Sequence, residues 1–334
     1  MDDKINNPSI NDVARLAGVS TTLVSFVLNG KDKEHRVSSA SVKRVREAAE
    51  KLNYHPNTMA KGLREGVSNV IGAIISDISN PFFGNIVRCI NAVAGELGYM
   101  TVFMNSNENT DIFGDSAMKL IRRQVDGLIV VPCESSGSVM KILEQTKVPM
   151  VQLDRFFPEL NVDSVCLDNE GASARLTDYL IGQGYKKIGM VTHNLDISCM
   201  KERIAGFRKR IEANPDVDGM EFHADFYDVE RSCARASEEF REAGCDAFLF
   251  ASNGVAVPFM KTIAKTRRED IGSLGFAGID AYEPYIFLDR PFPFVSQPIE
   301  AMARKSVELL LDRIRSGGGP VRREVLQGTF TLNK

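Results

Sequence analysis

Polar side chains gather where apolar runs end. Asp77-Ile-Ser-Asn80-Pro81-Phe82-Phe83 follows the run Val70 to Ile75, and Asp154-Arg155 follows Val151 to Leu153. Asn253 follows Phe250, Asp280 follows Gly278-Ile279, Arg203 precedes Gly206-Phe207, and Gln297 precedes Pro298. These residue types suit a neutral polyol. Phe82 and Phe83 offer rings that stack on the apolar C–H face of a sugar. Asp154 and Asp280 accept from pairs of hydroxyls, Arg155 and Arg203 donate in rigid forks, and Asn253 and Gln297 do both. Two acids balanced by two arginines make no demand for a net charge on the ligand. A core role for Phe82 and a structural salt bridge for Asp154-Arg155 are the plainer alternatives.

A second group of side chains suits nucleic acid. Ser20, Thr21, Thr22, Ser25, Phe26 and Asn29 fall within one short helical stretch. The threonines offer hydroxyls and methyls to base edges, and Phe26, one turn on, offers apolar contact. Ser20, Ser25 and Asn29, with the helix N-terminus, suit phosphates. Charge agrees with this division. Lys4 to Arg64 carries eleven Lys/Arg against five Asp/Glu, while the chain from Glu65 onward is net acidic by seven. A basic module on an acidic body suggests that the first part alone meets a polyanion.

The elements that must position these groups are legible in the apolar spacing. Ile10, Val13, Ala14 and Ala17 recur at helical period and Gly18 stops them. Ser20 caps a second helix from Thr21 to about Leu28, buried along Val24, Val27 and Leu28. Ser38 caps a third with Val42, Val45, Ala49 and Leu52 inward. Three short helices with a three-residue turn between the first two describe a helix-turn-helix. From Val70 the pattern becomes alternating strands and helices. Strands are predicted at Val70–Ile75, Met100–Met104, Gly127–Val131, Pro149–Leu153, Ile188–Val191, Ala247–Phe250 and Gly275–Gly278. Helices between them include Ile86–Leu97 and Ala172–Gly182. Repeated βαβ units imply parallel sheets covered on both faces, with ligands beyond the carboxyl ends of the strands.

The letters of the first sixty residues are more specific than their spacing. Ile10-Asn-Asp-Val-Ala-Arg-Leu-Ala-Gly-Val-Ser20, Val24-Ser25, Val27-Leu28-Asn29-Gly30, Ala48-Ala49-Glu50, Leu52-Asn53-Tyr54, Pro56-Asn57 and Ala60-Lys61-Gly62-Leu63-Arg64 closely resemble the headpiece of the LacI/GalR family. The resemblance runs through nearly the whole chain, and its core resembles the periplasmic sugar-binding proteins. Leu23, Phe26 and Val42 depart from the residues usual there, Lys31 to Arg36 lengthens a loop by about three residues, and Gly254 and Ala281 stand where the family commonly carries Asp.

The resemblance implies an all-α helix-turn-helix headpiece (1–56), a hinge helix and linker (57–69) and a two-lobed α/β core (70–334). Lobe one covers about 70–168 and 298–327, and lobe two about 169–297. It further implies that Asn57, Ala60, Lys61 and Leu63 enter the minor groove, where Leu63 wedges a base step. The expected protein is a homodimeric repressor of transcription that binds double-stranded operator DNA and responds allosterically to a sugar-like effector held by Asn80, Phe82, Phe83, Asp154, Arg155, Arg203, Asn253, Asp280 and Gln297. No cofactor or metal is expected. There is no GxSxG, Walker loop or HExxH, and His35, His55, His193 and His223 are dispersed, which argues against an enzyme. Six scattered cysteines read as reduced, buried thiols. A polar N-terminus and the lack of a long apolar run point to a cytoplasmic location without a membrane span.

Overall fold

The computed structural model describes residues 8–55, 66–266, 268–269, 271–280 and 291–332. Contacts divide it into two units between Ser68 and Asn69.

In the first unit, α1 (Ile10–Ala17), α2 (Thr21–Leu28) and α3 (Ser39–Lys51) enclose a small core in which Val13, Val24 and Val45 are fully buried. Each helix starts on a serine. Ser9 forms a capping box with Asp12, while the Ser20 and Ser38 hydroxyls accept from the amides of Leu23 and Ser41. Gly18 ends α1 at φ +63°, a left-handed position that costs other residues strain.

The second unit holds two sheets, each of six strands among the described residues. Lobe one is built from β1 (Val70–Ile75), α4 (Pro81–Glu96), β2 (Met100–Asn105), α5 (Thr110–Arg122), β3 (Gly127–Val130), α6 (Gly137–Gln145), β4 (Met150–Leu153) and β5 (Asp163–Leu167). Lobe two continues with α7 (Asn169–Gly182), β6 (Lys187–His193), α8 (Ser198–Glu212), β7 (Asp218–Ala224), α9 (Val229–Ala243), β8 (Ala247–Phe250), α10 (Asn253–Thr266), β9 (Gly275–Ile279) and β10 (Pro293–Ser296). The chain then returns to lobe one as α11 (Ile299–Ser316) and β11 (Arg323–Leu326), and back to lobe two as β12 (Thr329–Leu332).

The first sheet, in order β11-β5-β4-β3-β1-β2, is parallel throughout. The second, β12-β10-β9-β8-β6-β7, is parallel except for β12, which pairs antiparallel with β10. The chain therefore crosses between lobes near Asp168, Gln297 and Gln327. Each predicted strand is present, with ends shifted by at most two residues. Not anticipated were β5, β7, β10, β11 and β12. Central strands such as β3, β4 and β8 are buried along their whole length, as parallel strands covered on both faces must be.

The six cysteines are buried and none is in a disulfide. Burial pushes the Cys133 thiol up to about 11 and those of Cys166, Cys199 and Cys233 to about 12, so they stay protonated and unreactive at neutral pH. Among the described residues no helix is long and apolar enough to cross a membrane, and no group of three or more His, Cys, Asp or Glu could hold a metal ion.

Candidate DNA-reading face and effector cleft

On α2 the buried side chains are Val24 and Val27, which leaves Thr21, Thr22, Ser25, Phe26 and Asn29 around the other side. Thr21 and Thr22 are exposed. Ser20 spends its hydroxyl as the N-cap. Asn29 is exposed but folds back on its own helix, its Nδ2 donating to the Ser25 carbonyl at 2.7 Å and to the Ser25 hydroxyl at 3.3 Å. Phe26 is half-buried because the His35 ring lies flat on it, with centroids 3.6 Å apart and planes at 8°. Sequence spacing could not show that cover. Asn57, Ala60, Lys61 and Leu63 lie outside the described residues.

In the second unit, the carboxyl ends of the strands bring most of the predicted effector residues together. Asp154, just past β4, and Asp280, just past β9, both adopt positive φ, +68° and +79°. Such strained non-glycine positions cluster at ligand sites. Burial pushes both carboxyls up. Arg155 and Arg203 oppose that at Asp154, and Arg203 and the Gln297 amide oppose it at Asp280. Gln297 donates from Nε2 to Asp280 Oδ1 at 2.7 Å. Arg203, on α8 and 2% exposed, donates to Asn169 Oδ1 at 2.8 Å and to the Ala251 carbonyl at 2.6 Å.

Arg155 has a partner that sequence reasoning missed. Its Nη1 donates to Glu108 Oε1 at 2.5 Å, and the two side chains are 9% and 2% exposed. Asp154 Oδ2 stands farther off, 3.6 Å from Arg155 Nε. Glu108 follows Asn107 in a loop where both take positive φ, and nothing in the local sequence separates it from a surface acid. Burial works against the Arg155 charge, but Glu108 overcomes it and the pKa ends raised.

His193, at the end of β6, was also missed. It is buried against Phe226, and burial, then Arg155 and Arg203, push it down to about 4, so the imidazole is neutral. A Cβ on Gly254 would stand 2.7 Å from His193 Nε2. The imidazole thus takes the room that a side chain at position 254 would need. Buried polar atoms of Ser76, Glu108, Arg155, His193, Ser252 and Gln297 have no protein partner, an unusual concentration at strand ends.

Other predicted residues are placed differently. The Asn80 side chain caps α4, its Oδ1 accepting from Phe82 N at 3.0 Å. Phe82 and Phe83 pack edge to face, centroids 4.9 Å apart, within the lobe-one core, and Arg155 lies over the Phe83 ring. Both rings are 7% exposed or less, so the core role outweighs the sugar-stacking one. Asn253 opens α10. A cavity of about 560 Å³ lies between the lobes, walled by Arg155, Phe156 and Phe157 of lobe one and Ser198, Lys201 and Glu202 of lobe two. Arg155 is the one predicted effector residue on its wall. Across it Phe156 N donates to Ser198 Oγ at 3.0 Å and Asp196 N donates to Glu134 Oε1 at 2.5 Å.

Three family models match this chain: "Bacterial regulatory proteins, lacI family" over residues 9–57, "Periplasmic binding proteins and sugar binding domain of LacI family" over 68–225, and "Periplasmic binding protein-like domain" over 177–333. The HTH-type transcriptional regulator PtxS of Pseudomonas putida is 32% identical over 94% of this chain and 92% of its own. The chain belongs to the LacI family. This LacI-family protein is a helix-turn-helix transcriptional regulator. Its similarity extends to the ribose operon repressor of Halalkalibacterium halodurans, 32% identical over 92% of this chain and 90% of that protein. Among solved structures, the Lac repressor bound to ONPG in its repressed state matches with a TM-score of 0.84 at 22% identity, over 98% of both chains. That likeness confirms a headpiece followed by two parallel α/β lobes.

Proposed function

We propose that this LacI-family regulator acts as a homodimer that represses transcription from a near-palindromic operator and is released by a neutral sugar bound between its lobes. The observation that carries the effector half is the group of buried Asp154, Arg155, Arg203 and Gln297 together with the half-buried Asp280, with unpartnered polar atoms among it. Such atoms gain most from a ligand rich in hydroxyls, which both donates and accepts. The exposed Thr21 and Thr22 at the start of α2 support base reading in the major groove. Residues 57–69 would form the hinge, with Asn57, Ala60 and Lys61 along the minor groove and Leu63 as its wedge. The operator duplex, the sugar and the second subunit are the partners in this reading, which needs no cofactor, no catalytic step and no membrane, and places the protein in the cytoplasm.

The test is a thermal-shift screen of the whole chain against neutral aldoses, ketoses and disaccharides. A sugar at 100 times its Kd adds about 2.7 kcal/mol of stability. A hit should then weaken binding to a duplex selected by the protein from a random library. Failure of every neutral sugar alongside stabilisation by a purine base would replace the effector class, and selected duplexes without inverted symmetry would remove the dimer.

A further inference from the structure

Segment 31–36, between α2 and α3, is not idle chain. Lys31 N donates to the Phe26 carbonyl at 2.8 Å, His35 N to the Lys31 carbonyl at 3.1 Å, and Val37 N to the Asp32 carbonyl at 2.8 Å. Arg36 closes the turn at φ +51°, its amide donating to the Lys33 carbonyl at 3.2 Å. These bonds tie the segment to α2 at Phe26, and the His35 ring lands flat on the Phe26 ring. Residues 22, 25, 26 and 29 recur at i, i+3, i+4 and i+7 and so share one side of α2, away from the buried Val24 and Val27. Stacking places the imidazole on that same side. Covering an apolar ring would explain the stack alone, but an aliphatic side chain would cover it as well. The imidazole adds a ring N–H that, among the described residues, makes no hydrogen bond, on a residue that is exposed. A stacked ring held by a hydrogen-bonded turn loses little freedom on binding.

We infer that His35, stacked on Phe26, is a specificity-determining residue, donating a hydrogen bond from its ring to an acceptor on a base edge of the major groove. The inference rests on the operator-binding reading above. Phe26 and His35 would act as one slab: the phenylalanine sets the position of the imidazole, and the imidazole reads the base. Guanine O6 and N7, adenine N7 and thymine O4 are the acceptors exposed there.

The experiment uses the whole chain, a duplex selected from a random library by the wild-type protein, and a scrambled duplex of equal length. His35→Phe preserves the stack and removes the donor, whereas Phe26→Ala and His35→Ala break the stack. His35→Phe should melt with the wild type yet bind the selected duplex about tenfold more weakly, with scrambled-duplex affinity unchanged within about twofold and the salt slope unchanged. Phe26→Ala/His35→Ala should lose little more than either single change, the mark of residues acting as a unit. Repeating the selection with His35→Phe should relax one or two positions per half-site. Wild-type affinity in His35→Phe overturns the donor role. An equal loss on both duplexes with a shallower salt slope makes His35 a phosphate contact and overturns specificity. A wild-type protein that selects no duplex fails the operator reading, whereas a selected duplex indifferent to His35 fails this inference alone.

Discussion

Two side chains that the sequence reading does not assign to the cleft, Glu108 and His193, shape its electrostatics. The sequence offers Arg155 as a donor to a ligand or as a salt-bridge partner of Asp154; its Nη1 is instead committed to Glu108, and neither side chain is more than 9% exposed. Removing one partner of a buried pair costs more than the pair contributes, because the other charge stays buried. Arg155→Ala should therefore lower the stability of the core by about 3–5 kcal/mol, and adding Glu108→Gln should recover part of it. Thermal unfolding of the two variants checks this, and an Arg155→Ala protein that melts with the wild type would mean that Glu108 reaches water. His193 gives a pH signature. Its folded-state pKa of about 4 lies below the ordinary 6.5, so the unfolded chain takes up a proton that the fold refuses. Its contribution is lost as pH falls from about 6.5 to about 4 and then levels off, about 3 kcal/mol in all. His193→Gln should flatten the stability profile across that window relative to wild type, the carboxylates common to both cancelling in the difference. Parallel profiles would place the imidazole in solvent.

At the scale of elements, legibility followed local pattern. Apolar runs such as β1 and β8 stand out because both faces of a parallel strand are buried. Strand β5 begins instead with Asp163, a residue that reads as a turn. Its carboxylate is fully buried because Arg313, 150 positions later, donates to it from Nε and Nη2 at 2.7 and 2.6 Å, and the Arg322 amide adds a third bond. No local window contains that partnership. Strands β11 and β12 are short and half exposed, so alternation had little to reveal. Serines 20 and 38 were legible as caps since a cap needs partners only three residues away. Packing between α7 and α8 sets the most demanding position. A Cβ on Gly206 would stand 2.2 Å from the Glu170 carbonyl oxygen, a backbone atom that cannot step aside. Gly206→Ala should push α8 off α7 and, with it, Arg203 away from Asn169. A loss of at least about 1–3 kcal/mol is expected in chemical unfolding, together with weaker effector binding. An alanine variant with wild-type stability would show that the two helices separate at no cost.

For the whole molecule, the link between effector and DNA must pass through the way the lobes of the core meet. Three crossings of the chain, near Asp168, Gln297 and Gln327, join the lobes along one side, an arrangement suited to hinge closure. Opposing surfaces already touch through Phe156 N to Ser198 Oγ and Asp196 N to Glu134 Oε1. These bonds exist only while the lobes are together, so they favour the closed arrangement whatever fills the cleft. Ser198→Ala removes one neutral hydrogen bond, a net loss of about 1 kcal/mol from the closed form, or about fivefold in its population where the open form dominates. Because β1 of lobe one is the first strand to follow the headpiece in sequence, a sugar that binds the closed form would, in the proposed reading, release the operator only through that equilibrium. Ser198→Ala should then bind the effector found in the screen up to about fivefold more weakly, and need correspondingly more of it to release operator, with operator affinity in the absence of sugar unchanged or higher. Reciprocity adds a stricter condition: saturating operator must weaken sugar binding by the same factor, about 5- to 150-fold, by which sugar weakens operator binding. Calorimetric titration of sugar with and without operator, in wild type and Ser198→Ala, measures both. Equal sugar affinity on and off DNA would sever the cleft from the headpiece, and tighter sugar binding on DNA would make the effector a corepressor.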